Sequence, residues 1–188
     1  MSAIELNMNM KIQEITRILD LPNVRQQTPD TCGPASMKAV LGYYGVVTTE
    51  PELVKLTNMD FEWGAEPEDM KRVLEDFGLD VEIHKKMTIQ NLRLCTQNKI
   101  PVLIVLQAWG EGDYENDYDD SHYVVVKGVD DVMVRFEDPS SDSESELPIE
   151  EFEKRWHGWD TDVDHWGMII GPGKLSVDPI HRWVERMG

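Results

Sequence analysis

A polar turn that runs directly into a helix restricts the fold more tightly than any other part of this sequence. The turn covers residues 26–31, contains Pro29 and Asp30, and is followed by Cys32. After the cysteine, apolar residues recur at the spacing of a buried helix face: Met37, Val40, Leu41 and Tyr44. Cys32 is therefore predicted at a helix N-terminus, where unpaired N–H groups and the helix dipole favour a thiolate, the nucleophilic form of cysteine.

Two strands further along the chain contain a candidate base, which a cysteine nucleophile requires together with a group that orients that base. His122 lies at the start of a β-branched run over residues 121–129, which predicts a strand. A second predicted strand follows the turn at 130–131 and ends at Asp138. If the strands pair as a hairpin, the start of the first lies beside the end of the second. His122 and Asp138 are then neighbours, and the pattern predicts a catalytic cysteine, histidine and carboxylate.

These residues together resemble a known family of peptidases. Three segments carry the resemblance: Gln26 with Cys-Gly-Pro-Ala-Ser at 32–36, His-Tyr-Val-Val-Val at 122–126, and Asp-Pro at 138–139. In this order they resemble the bacteriocin-processing, double-glycine cysteine peptidases and their stand-alone relatives, a branch of the papain-like superfamily. The similarity extends from about Gln26 to about Gly171.

The resemblance implies a role for each of four residues. Cys32 is the nucleophile, His122 is the general base, and Asp138 is the partner that orients the base. Gln26, six residues before the cysteine, supplies the side-chain donor of the oxyanion hole, and the backbone N–H of Cys32 supplies the second donor. Gln27 is a rival for that role, but the family spacing favours Gln26.

The resemblance implies a cysteine peptidase that cleaves peptide bonds in a peptide or protein substrate through a thioester intermediate. Two alternatives stay open. An acyltransferase or transpeptidase would use the same machinery and differ only in its second step, whereas a non-catalytic peptide-binding domain is expected to lack the cysteine. The best-known relatives cut leader peptides after a double glycine and are joined to a membrane exporter, whereas this sequence shows no spanning segment.

The composition limits the expected partners. A net charge of −18 and a pI near 4.5 argue against nucleic acid, whose phosphates are neutralised by clustered Lys and Arg. No run approaches the roughly 18 apolar residues of a membrane-spanning helix, and no signal-peptide pattern is present. We expect a cytoplasmic protein with no membrane insertion, no cofactor and no metal ion. The sequence does not specify the oligomeric state.

The expected architecture is a single α+β domain over residues 1–188, with a papain-like fold in which a helical part packs on an antiparallel sheet. Residues 1–20 are predicted as an N-terminal arm, and residues 172–188 as a C-terminal tail with a short helix near 180–187. Further helices are predicted near 49–56, 66–77, 88–95 and 148–156, and further strands at 80–83, 100–106 and 165–170. The 100–106 strand is apolar throughout, which predicts burial on both faces beside the His122 strand. The acidic stretch 140–146 is predicted to be a mobile connector.

Other reactive or charged residues are assigned lesser roles. Cys95 is expected to be a free, buried thiol. His165 is a rival base without a partner motif, while three histidines are expected at or near the surface: His84, His157 and His181. The segment 109–120 packs six acids and three aromatics into one loop. Either it lines the cleft, raises the pKa of His122 and prefers cationic substrate residues, or it is a solvated loop.

Overall fold

The computed structural model describes residues 18–109, 112 and 114–173. Most of the predicted arm and tail lies outside these residues, as do His181 and residues 110, 111 and 113 of the acidic loop. The described helices are α1 (Cys32–Tyr43), α2 (Glu50–Leu56), α3 (Pro67–Asp76), α4 (Ile89–Gln97) and α5 (Ile149–Arg155). The strands are β1 (Asp80–His84), β2 (Val102–Gln107), β3 (Ser121–Val129), β4 (Met133–Glu137), β5 (Ser145–Pro148) and β6 (Gly167–Gly171).

These strands form one antiparallel sheet in the order β1-β6-β2-β3-β4-β5. β2 is buried along its whole length and pairs with β3, where Leu106 lies opposite His122. The prediction of a fully buried strand beside the His122 strand is therefore confirmed. β1 lies at one edge of the sheet, in agreement with its alternating sequence.

Helices cover both faces of the sheet and create two hydrophobic cores. On one face, α1 and α3 pack against the sheet through Met37, Leu41, Met70, Leu103, Val125 and Met168. On the other face, α4 and α5 pack through Leu92, Ile104, Val124, Phe152 and Trp156. Because neighbouring residues of a strand point to opposite faces, β2 and β3 contribute side chains to both cores. In the part of the chain described above, no helix is both long and apolar enough to cross a lipid bilayer.

Local sequence explains where the supporting helices begin. Thr49 caps α2 by accepting the N–H of Glu52 at 3.4 Å, and α2 begins with acidic residues that favour the positive end of the helix dipole. At α4, Thr88 and Asn91 form a reciprocal capping box. The predicted helix starts are confirmed. The helix dipole is a sufficient structural explanation for acidic residues in the first turn of a helix.

The segment after β4 differs from the prediction. Residues 145–148 form β5, which pairs with β4 at the edge of the sheet, so the predicted mobile connector over 140–146 is wrong at its C-terminal end. β5 is polar because its side chains alternate between half-buried and exposed positions. Arg135 lies opposite Glu146 across the pair and forms an ion pair with it at 2.9 Å, which favours this register.

Candidate active site

Cys32 is the first residue of α1, and two contacts hold this end of the helix against β3. Ser36, one turn further on, donates from its hydroxyl to the backbone carbonyl of Tyr123 at 3.1 Å. Gly33 is so close to β3 that a Cβ added there would lie 3.3 Å from the ring of Tyr123. The N-terminus of α1 is thereby fixed beside the residue that precedes Tyr123, which is His122.

His122 and Asp138 form a hydrogen-bonded pair at the adjoining ends of β3 and β4. His122 Nε2 lies 2.8 Å from Asp138 Oδ1, and the imidazole is only 1% exposed. The same Asp138 oxygen accepts hydrogen bonds from the backbone N–H and the hydroxyl of Ser140, at 2.8 and 2.7 Å. The two predicted neighbours are thus in contact, although the ladder carries a register shift between Val126 and Gly128 that a simple hairpin does not include.

The surroundings of His122 favour the imidazolium form. Burial lowers its pKa, but hydrogen bonds to Asp138 and to Cys32 outweigh burial and raise the pKa to about 9. Burial acts to raise the pKa of Asp138, but the hydrogen bonds from His122 and Ser140 outweigh it and hold that pKa below its usual range. Because Nε2 faces Asp138, Nδ1 is the ring nitrogen left for the sulfur of Cys32. This arrangement can hold an imidazolium beside the sulfur of Cys32.

Gln26 lies on the turn before α1, but its side chain is engaged locally. Its Nε2 donates to the backbone carbonyls of Thr28 and Pro29, both at 2.9 Å, while its Oε1 is buried without a hydrogen-bond partner among the described residues. The backbone N–H of Cys32 has no acceptor in the described part of the chain. Among the described residues, one predicted oxyanion donor is therefore without a partner, and the other must exchange a backbone partner to act.

Aromatic side chains pack against His122 and against its neighbour Tyr123. Trp109 is half-exposed, and its ring centroid lies 5.1 Å from that of His122. On the other side of β3, Tyr123 donates from its hydroxyl to the backbone carbonyl of Ala65 at 3.2 Å. The ring of Tyr123 also faces Trp159, which is partly exposed, with 6.5 Å between the centroids. The ring of Trp109 and the burial of the imidazole limit access of water to the hydrogen bond between His122 and Asp138, which strengthens it.

The other candidate bases have hydrogen-bond partners of their own. His165 pairs with its neighbour Asp164 at 2.6 Å, and His84 pairs with Glu82 at 3.0 Å. The prediction that His157 lies at the surface is wrong: it is buried, because both ring nitrogens approach backbone carbonyls and the ring packs under the acidic loop.

Two further candidates from the sequence are also not part of the group formed by Cys32, His122 and Asp138. Cys95 is a free thiol on α4, and burial raises its pKa. Gln27 is exposed and donates its backbone N–H to Glu50 at 2.8 Å.

The acidic loop borders a different cavity. Glu115 and Tyr118 line a space of about 600 Å³ together with residues of α5 and of the segment 157–165, and none of the four predicted catalytic residues lines it. The raised pKa of His122 comes from Asp138 and Cys32, and no described acid of the loop is among its causes. The structure therefore gives no support to the predicted effect of the loop on the histidine.

Ser36 and Ser140 were not identified from the sequence as neighbours of the site, and Trp109 was included only as part of the segment 109–120, which was predicted either to line the cleft or to be a solvated loop. Ser36 lies one helical turn after Cys32, and that spacing is a signal that could have been used. Ser140 follows Asp138 at the separation typical of a turn closed by an aspartate side chain. Trp109 carries no comparable signal, because its contact with His122 depends on the path of a loop.

Comparison with known proteins gives a family match. Residues 20–160 match the Peptidase C39 family, a span that includes the candidate cysteine, histidine and carboxylate. Comparison with curated proteins gives no match.

Solved structures share the fold of this chain. The peptidase domain of Streptococcus ComA, a bi-functional ABC transporter involved in a quorum sensing pathway, has a TM-score of 0.62 at 20% identity, covering 79% of this chain and 96% of that domain. A double glycine motif protease from an AMS/PCAT transporter, solved in complex with the leader peptide, gives 0.63 at 19% identity, covering 85% and 99%. A Bacillus anthracis protein described as a C39-like peptidase gives 0.64 at 18% identity, covering 82% and 96%. The predicted α+β, papain-like fold is confirmed.

Proposed function

The chain belongs to the peptidase C39 family, and on that premise we propose that it is a cysteine peptidase that uses Cys32 as nucleophile, His122 as general acid and base, and Asp138 as the orienting carboxylate. The family predicted from the three sequence segments is the family of the match. Membership supports a cysteine peptidase of the double-glycine type, and the roles of the individual residues are our proposal.

The observation that carries the proposal is the buried hydrogen bond between His122 and Asp138. Its length is 2.8 Å, and the neighbouring Cys32 is among the groups that raise the pKa of the same imidazole. A buried ion pair costs desolvation free energy, and a scaffold could fill the same volume with apolar side chains. A sulfur, an imidazole and a carboxylate in this order are what nucleophilic catalysis by cysteine requires.

In the proposed first step, the Cys32 thiolate attacks the carbonyl carbon of the scissile peptide bond. A carbon–sulfur bond forms, and the carbonyl electrons move to the oxygen. The His122 imidazolium then gives its proton to the leaving amine as the carbon–nitrogen bond breaks. Asp138 keeps the imidazole oriented and stabilises its charged form before the proton is given. A thioester remains on Cys32.

In the second step, neutral His122 removes a proton from water, and the resulting hydroxide attacks the thioester. The carbon–sulfur bond breaks, the carboxylic acid product leaves, and the thiolate and imidazolium pair is restored. During both steps the backbone N–H of Cys32 and the side chain of Gln26 donate to the oxyanion. For Gln26 this requires that its amide leave the carbonyl of Thr28 or Pro29.

The proposed substrate is a peptide or a peptide segment of a protein. One structural neighbour was solved with a leader peptide bound, which supports a peptide in the corresponding cleft. The half-exposed ring of Trp109 lies against His122, so part of its surface is available to pack against a bound peptide. Cleavage after two glycines is a specific expectation within this proposal.

The first test is selective labelling followed by peptide digestion. We expect iodoacetamide to label Cys32 faster than Cys95 between about pH 6 and pH 7, because only the first sulfur is paired with an imidazolium. Cys95 serves as the internal control, since burial raises its pKa. Digestion of a peptide library, read by mass spectrometry, should give cleavage products with the wild-type protein and none with Cys32→Ala.

Two results would contradict the proposal. Equal labelling of the two thiols would remove the evidence for an activated nucleophile. Cleavage that persists in Cys32→Ala would assign the activity to another group. A digestion repeated with an added amine acceptor separates hydrolysis from acyl transfer, because a transferase gives the amide of the acceptor instead of the free acid.

A further inference from the structure

The segment that carries Gln26 is fixed by four consecutive residues. The backbone N–H of Val24 donates to Glu137 Oε1 at 3.0 Å. Arg25 Nη1 donates to the backbone carbonyl of Asp138 at 3.0 Å. The backbone N–H of Gln26 donates to the carbonyl of Pro139 at 3.0 Å. Residues 24–26 thus run beside residues 137–139, and we call this contact the brace.

A fourth hydrogen bond holds the segment from its other side. The backbone N–H of Gln27 donates to Glu50 Oε1 at 2.8 Å. Glu50 is 1% exposed, and its second oxygen has no hydrogen-bond partner among the described residues. Two buried carboxylates, Glu137 and Glu50, therefore accept main-chain N–H groups on either side of Gln26.

Burial of the strand carboxylate Glu137 has a cost that its position in β4 does not explain. Glu137 is 8% exposed, and burial raises its pKa despite the hydrogen bond from Val24. Removing a carboxylate from water costs free energy unless hydrogen bonds replace the lost hydration. Position 137 lies opposite Val125 on β3, and an apolar side chain would suit such a buried position. What the carboxylate adds is a fixed acceptor for the N–H of Val24, beside the positive charges of Lys127 and Arg25.

We infer that Glu137 is a positioning residue for the oxyanion side of the site. Through the brace, it holds the backbone that carries Gln26 against the end of β4, next to Asp138. The inference rests on the proposed function. Glu50 supports the same segment from α2. Neither carboxylate touches the reacting atoms.

The brace matters because of the state of the Gln26 side chain. Its amide donates to the carbonyls of Thr28 and Pro29 and must turn toward an oxyanion to stabilise it. With the backbone of Gln26 held through Pro139, this turn is a side-chain rotation and not a movement of the segment. A catalytic donor held to within a fraction of an ångström is worth far more than a loose one.

The test compares two reactions of the Cys32 thiolate that differ in their need for an oxyanion hole. Alkylation by iodoacetamide displaces iodide at a saturated carbon and forms no oxyanion. Acylation by p-nitrophenyl acetate passes through a tetrahedral oxyanion before p-nitrophenolate leaves. The ratio of the two rates reports the oxyanion side alone, and it requires no knowledge of the natural peptide substrate.

The informative variant is Glu137→Leu, which removes the acceptor of the Val24 N–H. We expect its acylation rate to fall by about 10- to 100-fold, while its alkylation rate changes by less than about threefold. Gln26→Ala, the direct change, should show the same pattern with a fall of about 100-fold. Glu137→Gln keeps an oxygen acceptor at the same place and should retain most of the acylation rate.

Glu146→Leu is the matched control, since Glu146 is a strand carboxylate that pairs with Arg135 and makes no contact with the segment 24–27. It should leave the ratio unchanged. If Glu137→Leu does not yield folded protein, Glu50→Leu tests the segment from its other side with the same ratio.

An unchanged ratio of acylation rate to alkylation rate in the folded variants would overturn the inference. A parallel fall of both rates would also overturn it, because such a fall indicates a general loss of structure. These outcomes are distinct from failure of the proposed function, which would appear in the wild-type protein as absence of selective alkylation at Cys32.

Discussion

At the scale of single residues, the charge state of His122 is the property with the clearest experimental signature. Its pKa is raised to about 9, because hydrogen bonds to Asp138 and Cys32 outweigh the effect of burial. The pKa of His122 is higher in the folded protein than its unfolded value of about 6.5. Protonation of His122 therefore stabilises the fold, and this contribution is fully present below about pH 6.5. The contribution is then lost as pH rises through about 9.

Asp138→Asn should remove most of this effect. An amide in place of the carboxylate takes away the charge that favours the imidazolium, so the pKa of His122 should fall below about 9. The decline of unfolding free energy between about pH 6.5 and pH 9 should become shallower. NMR titration of the histidine ring and urea unfolding at a series of pH values measure both effects.

Asp142→Asn is a matched control for that experiment, because Asp142 is exposed and pairs with Arg25 without contacting the histidine. A variant titration of His122 that coincides with the wild-type curve would show that Asp138 does not set the charge of the imidazole.

At the scale of elements, the close approach of α1 to β3 determines whether the nucleophile meets its base. A Cβ at Gly33 would lie 3.2 Å from Ala65 Cβ and Met70 Sδ and 3.3 Å from Tyr123 Cδ2. Gly33→Ala should therefore cost about 1 to 3 kcal/mol of unfolding free energy, because overpacking forces the neighbours to shift. The displaced helix should also slow alkylation of Cys32. Urea unfolding and labelling kinetics measure the two effects.

Gly171→Ala supplies the comparison, since a Cβ there would meet its nearest neighbours at 3.8 and 3.9 Å, an ordinary contact. Equal stability of the two alanine variants would contradict the argument that Gly33 is required for this approach.

Elements with a strong local pattern were predictable, and those that depend on tertiary contacts were not. The buried strand β2 and the start of α1 follow from runs of apolar residues and from turn residues. β5 was missed because an edge strand with an exposed face needs few apolar side chains, so its residues resemble those of a loop. The contact of His122 with Asp138 followed from hairpin geometry, whereas the local partners of Gln26 depend on the conformation of a turn.

At the scale of the whole molecule, the net negative charge of the chain determines how stability should depend on salt. A net charge of −18 makes the compact state repel itself, and this repulsion is screened by salt. The Debye length falls from about 30 Å at 10 mM salt to about 8 Å at 150 mM. We expect the thermal unfolding midpoint to rise over that range of sodium chloride concentration.

Calorimetry in sodium chloride and in potassium chloride would check this expectation, because screening depends on ionic strength and not on which of these cations is present. A midpoint that falls with salt would mean that attractive ion pairs, such as that between Arg135 and Asp130, outweigh the general repulsion.

The order of strands also has a consequence for synthesis. β6 is the last described strand, yet it lies between β1 and β2 and pairs with both. A nascent chain on the ribosome can therefore form the hairpin of β3 and β4 before β6, the neighbour of β1 in the sheet, has been synthesised. A polypeptide released before residue 167 would leave two strand edges without partners, and such edges invite aggregation. The six-stranded sheet can be completed only after β6 has been synthesised.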